Sequence, residues 1–498
     1  MNFNQKDESD LAKRGISAAE LTAQIYRFTK ETKPLKLERP CTAGDGIAIL
    51  SPSNCHRLME LYDKEKKNFS LTKFVPASGA ASRMFKHLYY FSQENTSDLT
   101  EEFILNFNRF PFVSALEKVM QNHGESLQTC VEKNEWNKIF DFIISEKGLH
   151  YDSQLKGLVI FHKYGETGRT AFEEHLQEGV HYVRQADGKC RLHFTLAPQH
   201  IATVESFLNI KTKEFKYEDF EITYSVQSAR TDTVALTKDN EPVRDTDGNL
   251  VFRPSGHGAL IRNIQALDAD IAFIKNIDNV TTDSQREDTT FFKKVIAGLL
   301  IELKKEADRL IGDLEDKKEN ALENALEFIQ HWFQPGAPIG GPRNQLEEYA
   351  RLRLDRPMRI CGMVRNEGEP GGGPFWVKSQ DGILSKQIVE KSQVDANDLS
   401  QMQILSQSTH FNPVDIVCAL KNKNGVKYNL ENYIDHSTGF ISEKFQDGKV
   451  IKALELPGLW NGAMALWNTV FVEVPVSTFH PVKTVNDLLR PGHQQQLS

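Results

Sequence analysis

Apolar residues recur at three-to-four spacing through much of the first 150 positions, and in short runs or alternation after that. "ISAAELTAQIYRFTKET" (16–32) and "SNCHRLMELYDKEKKN" (53–68) therefore predict polar, amphipathic helices. Between them, "RPCTAGDGIAILSPS" (39–53) reads as loop with a short apolar stretch. "LTKFVPASGAASRMFKHLYYF" (71–91) predicts a strand, a small-residue turn and a helix, and residues 97–150 return to helical patterning.

From about residue 155 the rhythm changes. "KGLVIFHKY" is a strand, and "TAFEEHLQEGVHYV" is a helix opened by Thr170 with Glu173 three residues on, a capping-box spacing. "CRLHFTLA" is a strand, "PQHIATVESFLN" a helix with Pro at its start, and "FEITYSVQ" a strand. A hairpin-like segment (238–252), a glycine turn (Pro254–Gly258), a helix and the apolar run "IAFIKNI" follow. Such alternation predicts an α/β fold with a mostly parallel, doubly wound sheet. Residues 284–334 break the rhythm as an amphipathic helical hairpin turning near Asp316, read as an insertion packing on its own domain or as a coiled-coil partner face. Residues 357–490 return to short strands with Gly-rich links. The expected organisation is an N-terminal helical segment (1–70), a main domain (71–490) with helical insertions at about 97–150 and 284–334, and a tail (491–498).

Composition narrows the function classes. The chain has 498 residues, 39% hydrophobic and 26% charged, which is more than one ordinary core holds. A net charge of −8 argues against general binding of nucleic acid or anionic membranes, yet leaves room for a small phosphorylated ligand held by a local basic spot. The six cysteines are scattered with no CxxC pair, which suggests reduced thiols rather than a disulfide framework or metal site. The polar start "MNFNQKDESDLAKRG" is no secretory signal, and no run approaches the ~18 apolar residues of a membrane span, so a cytoplasmic protein is expected.

Four stretches carry candidate chemistry. In "VPASGAASRM" (75–84), a small-residue turn between strand and helix lets backbone N–H groups approach a phosphate, with Arg83 as a fixed cation; the same residues also serve close packing. Asp278 ends "IAFIKNI", where a metal-holding carboxylate belongs in an open α/β sheet, although Asp also simply forms turns. The Pro254-Ser255-Gly256-His257-Gly258 turn puts flexible backbone nearby, with His257 readable as an ordinary loop histidine. Lys483 in "FHPVKTVNDLL" lies between an apolar run and a helix apparently starting near Asn486, a place where lysines are usually solvated. Glu390, near the end of a strand, and Asn412, in a loop, are able to hold sugar hydroxyls or to cap turns.

At these residues the chain resembles the UDP-sugar pyrophosphorylases, nucleotidyltransferases that act on glucose 1-phosphate or N-acetylglucosamine 1-phosphate. More closely, it is similar to DUF4301, a domain family of unknown function placed near them. "PASGAASRM", "FHKY…RTAFEEHL", "NEGEPGGGPFWV", "STHFNPVD" and "ELPGLWNGAM" carry that closer likeness over most of residues 70–490. The resemblance implies a nucleotidyltransferase (GT-A-like) sheet. It implies that the turn Ser78, Gly79, Ala80, Ala81 and Ser82 stands where the pyrophosphorylases have GGxGTRM, with Arg83 on the pyrophosphate side. It further implies Gln227 as reader of uracil, Gly256, His257 and Gly258 beside nucleotide and sugar, and Glu390 and Asn412 at the sugar. Asp278 is implied as the Mg²⁺ ligand and Lys483 as a phosphate contact. Two departures stand out: Ala81 replaces the second turn glycine, and the Pro-Lys pair that usually follows is missing, with only Lys86 nearby.

The expected reaction is in-line attack of an already ionised sugar 1-phosphate on the α-phosphorus of UTP, with no general base, so that positioning and charge neutralisation supply the catalysis. The alternative is a non-catalytic nucleotide-sugar binder derived from the same fold.

Overall fold

A computed structural model describes residues 4–29, 34–91, 97–215, 219–334, 336, 340–368, 371–379, 382–446 and 449–495. The chain is a mixed α/β protein that divides into two compact units. One comprises residues 1–70, 226–273 and 295–474, and the other residues 71–225, 274–294 and 475–498.

The first unit is built on a mostly parallel run of strands in the order Thr42–Ala43, Gly46–Ala48, Asn468–Glu473, Met358–Arg365, His410–Ala419 and Ile271–Ile274. The first three pairings are parallel, and Met358–Arg365 pairs antiparallel with His410–Ala419. Strands covered on both faces read as continuous apolar runs, and the central ones are buried almost end to end. A three-stranded antiparallel sheet (Leu37–Pro40, Gly373–Lys378, Leu384–Val389) and a four-stranded one built around Thr233–Leu236 and Lys449–Glu455 complete the unit. The expected helical hairpin is present as Arg286–Glu315 followed by Ala321–Trp332.

In the second unit, Leu71–Pro76 lies parallel to Lys189–Leu196, and Asp219–Val226 lies beside the latter. The helix Ala171–Tyr182 opens with the expected capping box: Glu173 N–H donates to Thr170 Oγ1 at 3.3 Å, and Thr170 N–H donates to Glu173 Oε2 at 2.8 Å. The helical stretch 97–150 resolves into four helices, Asp98–Leu105, Val113–Asn122, Leu127–Glu132 and Trp136–Ile144. Phenylalanines join their core, with the Phe103 and Phe110 rings stacked at 4.4 Å and Phe140 set edge-on to Phe103 at 5.7 Å.

Three local expectations are corrected. The helix read after the small-residue turn shrinks to one turn, Lys86–Tyr89, because the backbone from Ala81 is drawn aside into pairing with residues 154–156. Asn412 is on a buried strand, not in a loop; Pro413 and the positive φ of Val414 (60°) bend that strand without ending it. The stretch read as loop at 39–53 contains the short strands named above.

Candidate functional site

Within the second unit, four distant segments are tied together by backbone hydrogen bonds. Ala81 N–H donates to Gln154 O at 2.9 Å, and Lys156 N–H donates to Gly79 O at 3.0 Å. Val482 N–H donates to Asp278 O at 3.2 Å, and Val485 N–H donates to Met84 O at 3.1 Å. Asn279 forms an antiparallel bridge with Pro481, and its Oδ1 accepts from His480 N–H at 2.9 Å. The short helix Val485–Leu489 is capped by Thr484 and Asp487, whose Oδ2 takes the N–H groups of both Lys483 and Thr484 at 2.7 Å.

This scaffold sets two lysines on one carboxylate. Lys156 Nζ donates to Asp278 Oδ2 at 2.7 Å, and Lys483 Nζ donates to the same oxygen at 3.2 Å. Asp278 and Lys156 are largely enclosed, whereas the Lys483 side chain is 57% exposed. Burial pushes the Asp278 carboxyl upward, but the two ammonium groups outweigh it and hold it below the usual carboxylate range. Lys156 lies below the usual lysine range because its burial, together with repulsion from Lys483, exceeds what Asp278 returns. Ser78, Gly79, Ala80 and Arg83 are exposed beside this scaffold and Ser82 partly so, while Ala81 is buried with its N–H consumed.

Behind Asp278 sits a fully buried charge network. Glu178 accepts from Lys275 at 2.8 Å and from Tyr182 Oη at 2.6 Å, and pairs with Lys73 at 3.3 Å. Lys73 Nζ also donates to His175 O at 3.0 Å, and His175 Nε2 bonds Ile277 O at 3.2 Å, one residue before Asp278. Burial pulls Lys73 down to about 7, against the attraction of Glu178.

Within the first unit, Gly256, His257 and Glu390 line a cavity of about 110 Å³ together with Gln393, Glu455 and Asn461. Gly256 has φ +82°, a conformation glycine adopts without strain. At Gly258 a Cβ would lie 2.1 Å from Pro457 O, so only glycine permits this approach of the turn to residues 456–458. His257 Nδ1 accepts from Leu459 N–H at 3.1 Å, which puts the proton of the neutral ring on Nε2, 3.9 Å from Glu390 Oε1. The ring packs on Trp460 at 4.3 Å, and burial lowers its pKa. Asn461 donates to Gln393 Oε1 at 2.9 Å, and the same oxygen accepts Glu390 N–H at 2.9 Å. Asn461 Oδ1 is buried without a hydrogen-bond partner. Asn412 spends its side-chain oxygen on Val414 N–H at 3.1 Å and does not line this cavity. Gln227 follows its strand directly and does not line the cavity either; its nearest polar contact is Thr231 Oγ1 at 3.5 Å.

The structure thus gathers Asp278 and Lys483 beside the 78–83 turn, and separately Gly256, His257 and Glu390 around one cavity. Lys156, Gln393, Glu455 and Asn461 were missed by the sequence reading. Asn461 had a signal, the Pro-Gly and Asn-Gly turns of "ELPGLWNGAM"; Lys156 had none. Among the described residues no group of three or more His, Cys, Asp or Glu is able to hold a metal. A single carboxylate facing two ammonium groups does not fit a resident ion. It fits Mg²⁺ that arrives on a polyphosphate, since Mg²⁺ is commonly held by one or two carboxylates plus substrate phosphates. Among the described residues no helix is long and apolar enough to cross a membrane, and the six cysteines are all buried and form no disulfide.

The DUF4301 family model, a domain of unknown function, matches residues 4–494. No curated protein matches the chain. Among solved structures, the chain is similar to the uridine diphosphate N-acetylglucosamine pyrophosphorylase from Trypanosoma brucei in complex with inhibitor. That likeness has a TM-score of 0.52 at 12% identity and covers 98% of this chain and 79% of the other. It is also similar to the UDP-glucose pyrophosphorylase from Leishmania major, with a TM-score of 0.43 at 14% identity over 97% of this chain and 78% of the other.

Proposed function

The chain belongs to the DUF4301 family, and within that family we propose that it is a nucleotidyltransferase of GT-A-like fold, a UTP:sugar-1-phosphate uridylyltransferase releasing UDP-sugar and pyrophosphate. The observation that carries this reading is the meeting of Asp278 and Lys483 at 3.2 Å beside an exposed small-residue turn, from positions 205 residues apart. A carboxylate and a solvent-exposed ammonium there match the needs of phosphoryl chemistry, in which charge neutralisation and alignment do most of the work.

In this reading an oxygen of the sugar phosphate attacks the α-phosphorus of UTP, and the bond from that phosphorus to the bridging oxygen of the β-phosphate breaks. Lys483 balances the charge that grows on the pentacoordinate phosphorus. Arg83 and the exposed 78–80 backbone hold the departing pyrophosphate. Gln227 reads the base, Gly256, His257 and Gly258 face nucleotide and sugar, and Glu390 is assigned to the sugar. Asp278 would hold the Mg²⁺ that the nucleotide carries, and that ion would supply further neutralisation of phosphate charge.

One observation favours a second reading, a non-catalytic nucleotide-sugar binder. Ala81 N–H is spent on Gln154, and no long helix follows the turn, so the turn offers pyrophosphate fewer donors than an open glycine-rich loop does. The discriminating experiment incubates the protein with Mg²⁺, UTP and a panel of sugar 1-phosphates and measures pyrophosphate release. Release with at least one sugar is expected. Silence across UTP, CTP, GTP and ATP, with UDP-sugar still bound, would establish the binder instead.

A further inference from the structure

Lys156 belongs to none of the motifs that point to the site, yet its ammonium is the one nearest Asp278, at 2.7 Å against 3.2 Å for Lys483. Its side chain is 13% exposed, so this is not a loose surface pair of the kind worth little. Its own N–H is fixed to Gly79 O, and the Gln154 carbonyl two residues back takes Ala81 N–H. Lys156 is therefore built into the same backbone pairing that shapes the exposed 78–80 turn. That pairing removes an amide from the turn and leaves only a one-turn helix after it, while it delivers a lysine to the same place. Two ammonium groups on one carboxylate leave an excess positive charge, which favours an incoming polyanion.

We infer that Lys156 is a phosphate-binding cation that supplies from residue 156 the charge the turn's own backbone withholds. In the ligand-free protein it rests on Asp278; when a polyphosphate enters, its ammonium shifts to a phosphate oxygen and leaves Asp278 to the divalent cation that comes with the ligand. Only proton-neutral ion pairs are exchanged, and no bond is made or broken. The inference rests on the uridylyltransferase reading for the identity of the polyphosphate as UTP or pyrophosphate, not for the exchange of ion pairs.

The test uses the full chain and two probes other than turnover: calorimetric titration with inorganic pyrophosphate, and paramagnetic-resonance titration with Mn²⁺ alone. Lys156→Met should bind pyrophosphate about tenfold or more weakly, since a charge-assisted hydrogen bond is lost. It should bind Mn²⁺ alone about tenfold more tightly, because Asp278 is relieved of one of its two cations. Lys156→Arg should keep pyrophosphate affinity within a few-fold, and Lys156→Gln, which keeps a hydrogen-bond donor without the charge, should lose it as Met does. The inference is overturned if folded Lys156→Met or Lys156→Gln matches wild type on both probes, if Lys156→Arg fails as badly as Met, or if the wild type binds no pyrophosphate. Lys156-dependent pyrophosphate binding without any turnover would support the inference while overturning the uridylyltransferase reading.

Discussion

Glu178→Gln gives the sharpest stability test of the scaffold behind Asp278. Glu178 is the acid between Lys73 and Lys275, all three are buried, and Tyr182 donates to it as well. Burial alone pushes the Glu178 carboxyl up, but Lys275 and Lys73 pull it well below the usual range, so it carries its charge at every pH of interest. Lys73 already sheds its proton near neutrality, at about 7, so Lys275 is the cation that Glu178 chiefly holds above that pH. Without the carboxylate, the cheapest escape for Lys275 is to lose its proton. At pH 7.5 that costs about 4 kcal/mol for a lysine whose unperturbed pKa is about 10.4, and at pH 9.5 only about 1 kcal/mol. The first figure falls within the roughly 3–5 kcal/mol seen when a buried ion pair loses one partner. The sign follows from proton counts: unfolded Glu178→Gln binds a proton on Lys275 that the folded form lacks, so its stability rises with pH until the unfolded pKa is passed. Native-state hydrogen exchange of peptides covering 171–182 and 271–280, compared with wild type at pH 7.5 and 9.5, reads this difference directly. A loss below about 1 kcal/mol at pH 7.5, or one that does not shrink with pH, would refute the assignment of Glu178 as counter-ion to Lys275.

Other outcomes are expected. Asp278→Asn should fold normally and lose pyrophosphate release by about 100-fold or more, as when one preorganised charged contact is removed; unchanged release in the same assay would remove Asp278 from the site. Acid should selectively loosen the second unit. Burial holds His193 and His480 at about 4, and His175 and His493 well below the usual histidine value. Unfolded histidines take a proton below about pH 6.5, so the contribution of these histidines to stability is flat above that value and falls as pH drops toward 4, by about 2 kcal/mol at pH 5 for each of His193 and His480. Urea midpoints at pH 7 and 5, with His193→Gln showing the smaller drop, check this. Gly258→Ala drives a Cβ to 2.1 Å from Pro457 O and should cost about 2 kcal/mol or more as the 256–260 turn is pushed off residues 456–458, read as a lowered thermal midpoint and weakened UDP-sugar binding.

The alternation of strand and helix was legible because it rests on local periodicity, and the Thr170–Glu173 cap because it rests on two residues three apart. What was not legible depends on contacts across the chain. Lys73 sits inside an apolar strand and Lys275 directly after one, where a lysine reads as solvent-facing; both are buried because Glu178, about a hundred residues from each, meets them. Asn412 read as loop, yet Val414 takes φ +60° and the strand continues. The helix expected after Ser82 failed for a similar reason: Ala81 N–H found a partner at Gln154, and local helix propensity had no means of signalling that competitor.

That competition bears directly on the chemistry. A glycine-rich turn ahead of a long helix offers phosphate a row of fixed backbone donors, which are neutral and always present. Here the same backbone is partly consumed in holding residue 156, and the charge near the turn is carried instead by Lys156, Lys483 and Arg83. Side-chain cations can exchange partners, whereas backbone amides cannot. The two lysines already share one carboxylate oxygen, so any polyanion that enters competes with Asp278 for them and any cation that enters competes with them for Asp278. Binding of anion and metal should therefore be mutually reinforcing: each relieves the ion pair that opposes the other, and by linkage each must tighten the other by the same factor. Titrating Mn²⁺ at increasing pyrophosphate, then pyrophosphate at increasing Mn²⁺, should return one common enhancement factor that falls toward unity in Asp278→Asn. Independent binding in the wild type would mean that the lysine pair on Asp278 is a resting salt bridge with no part in ligand capture.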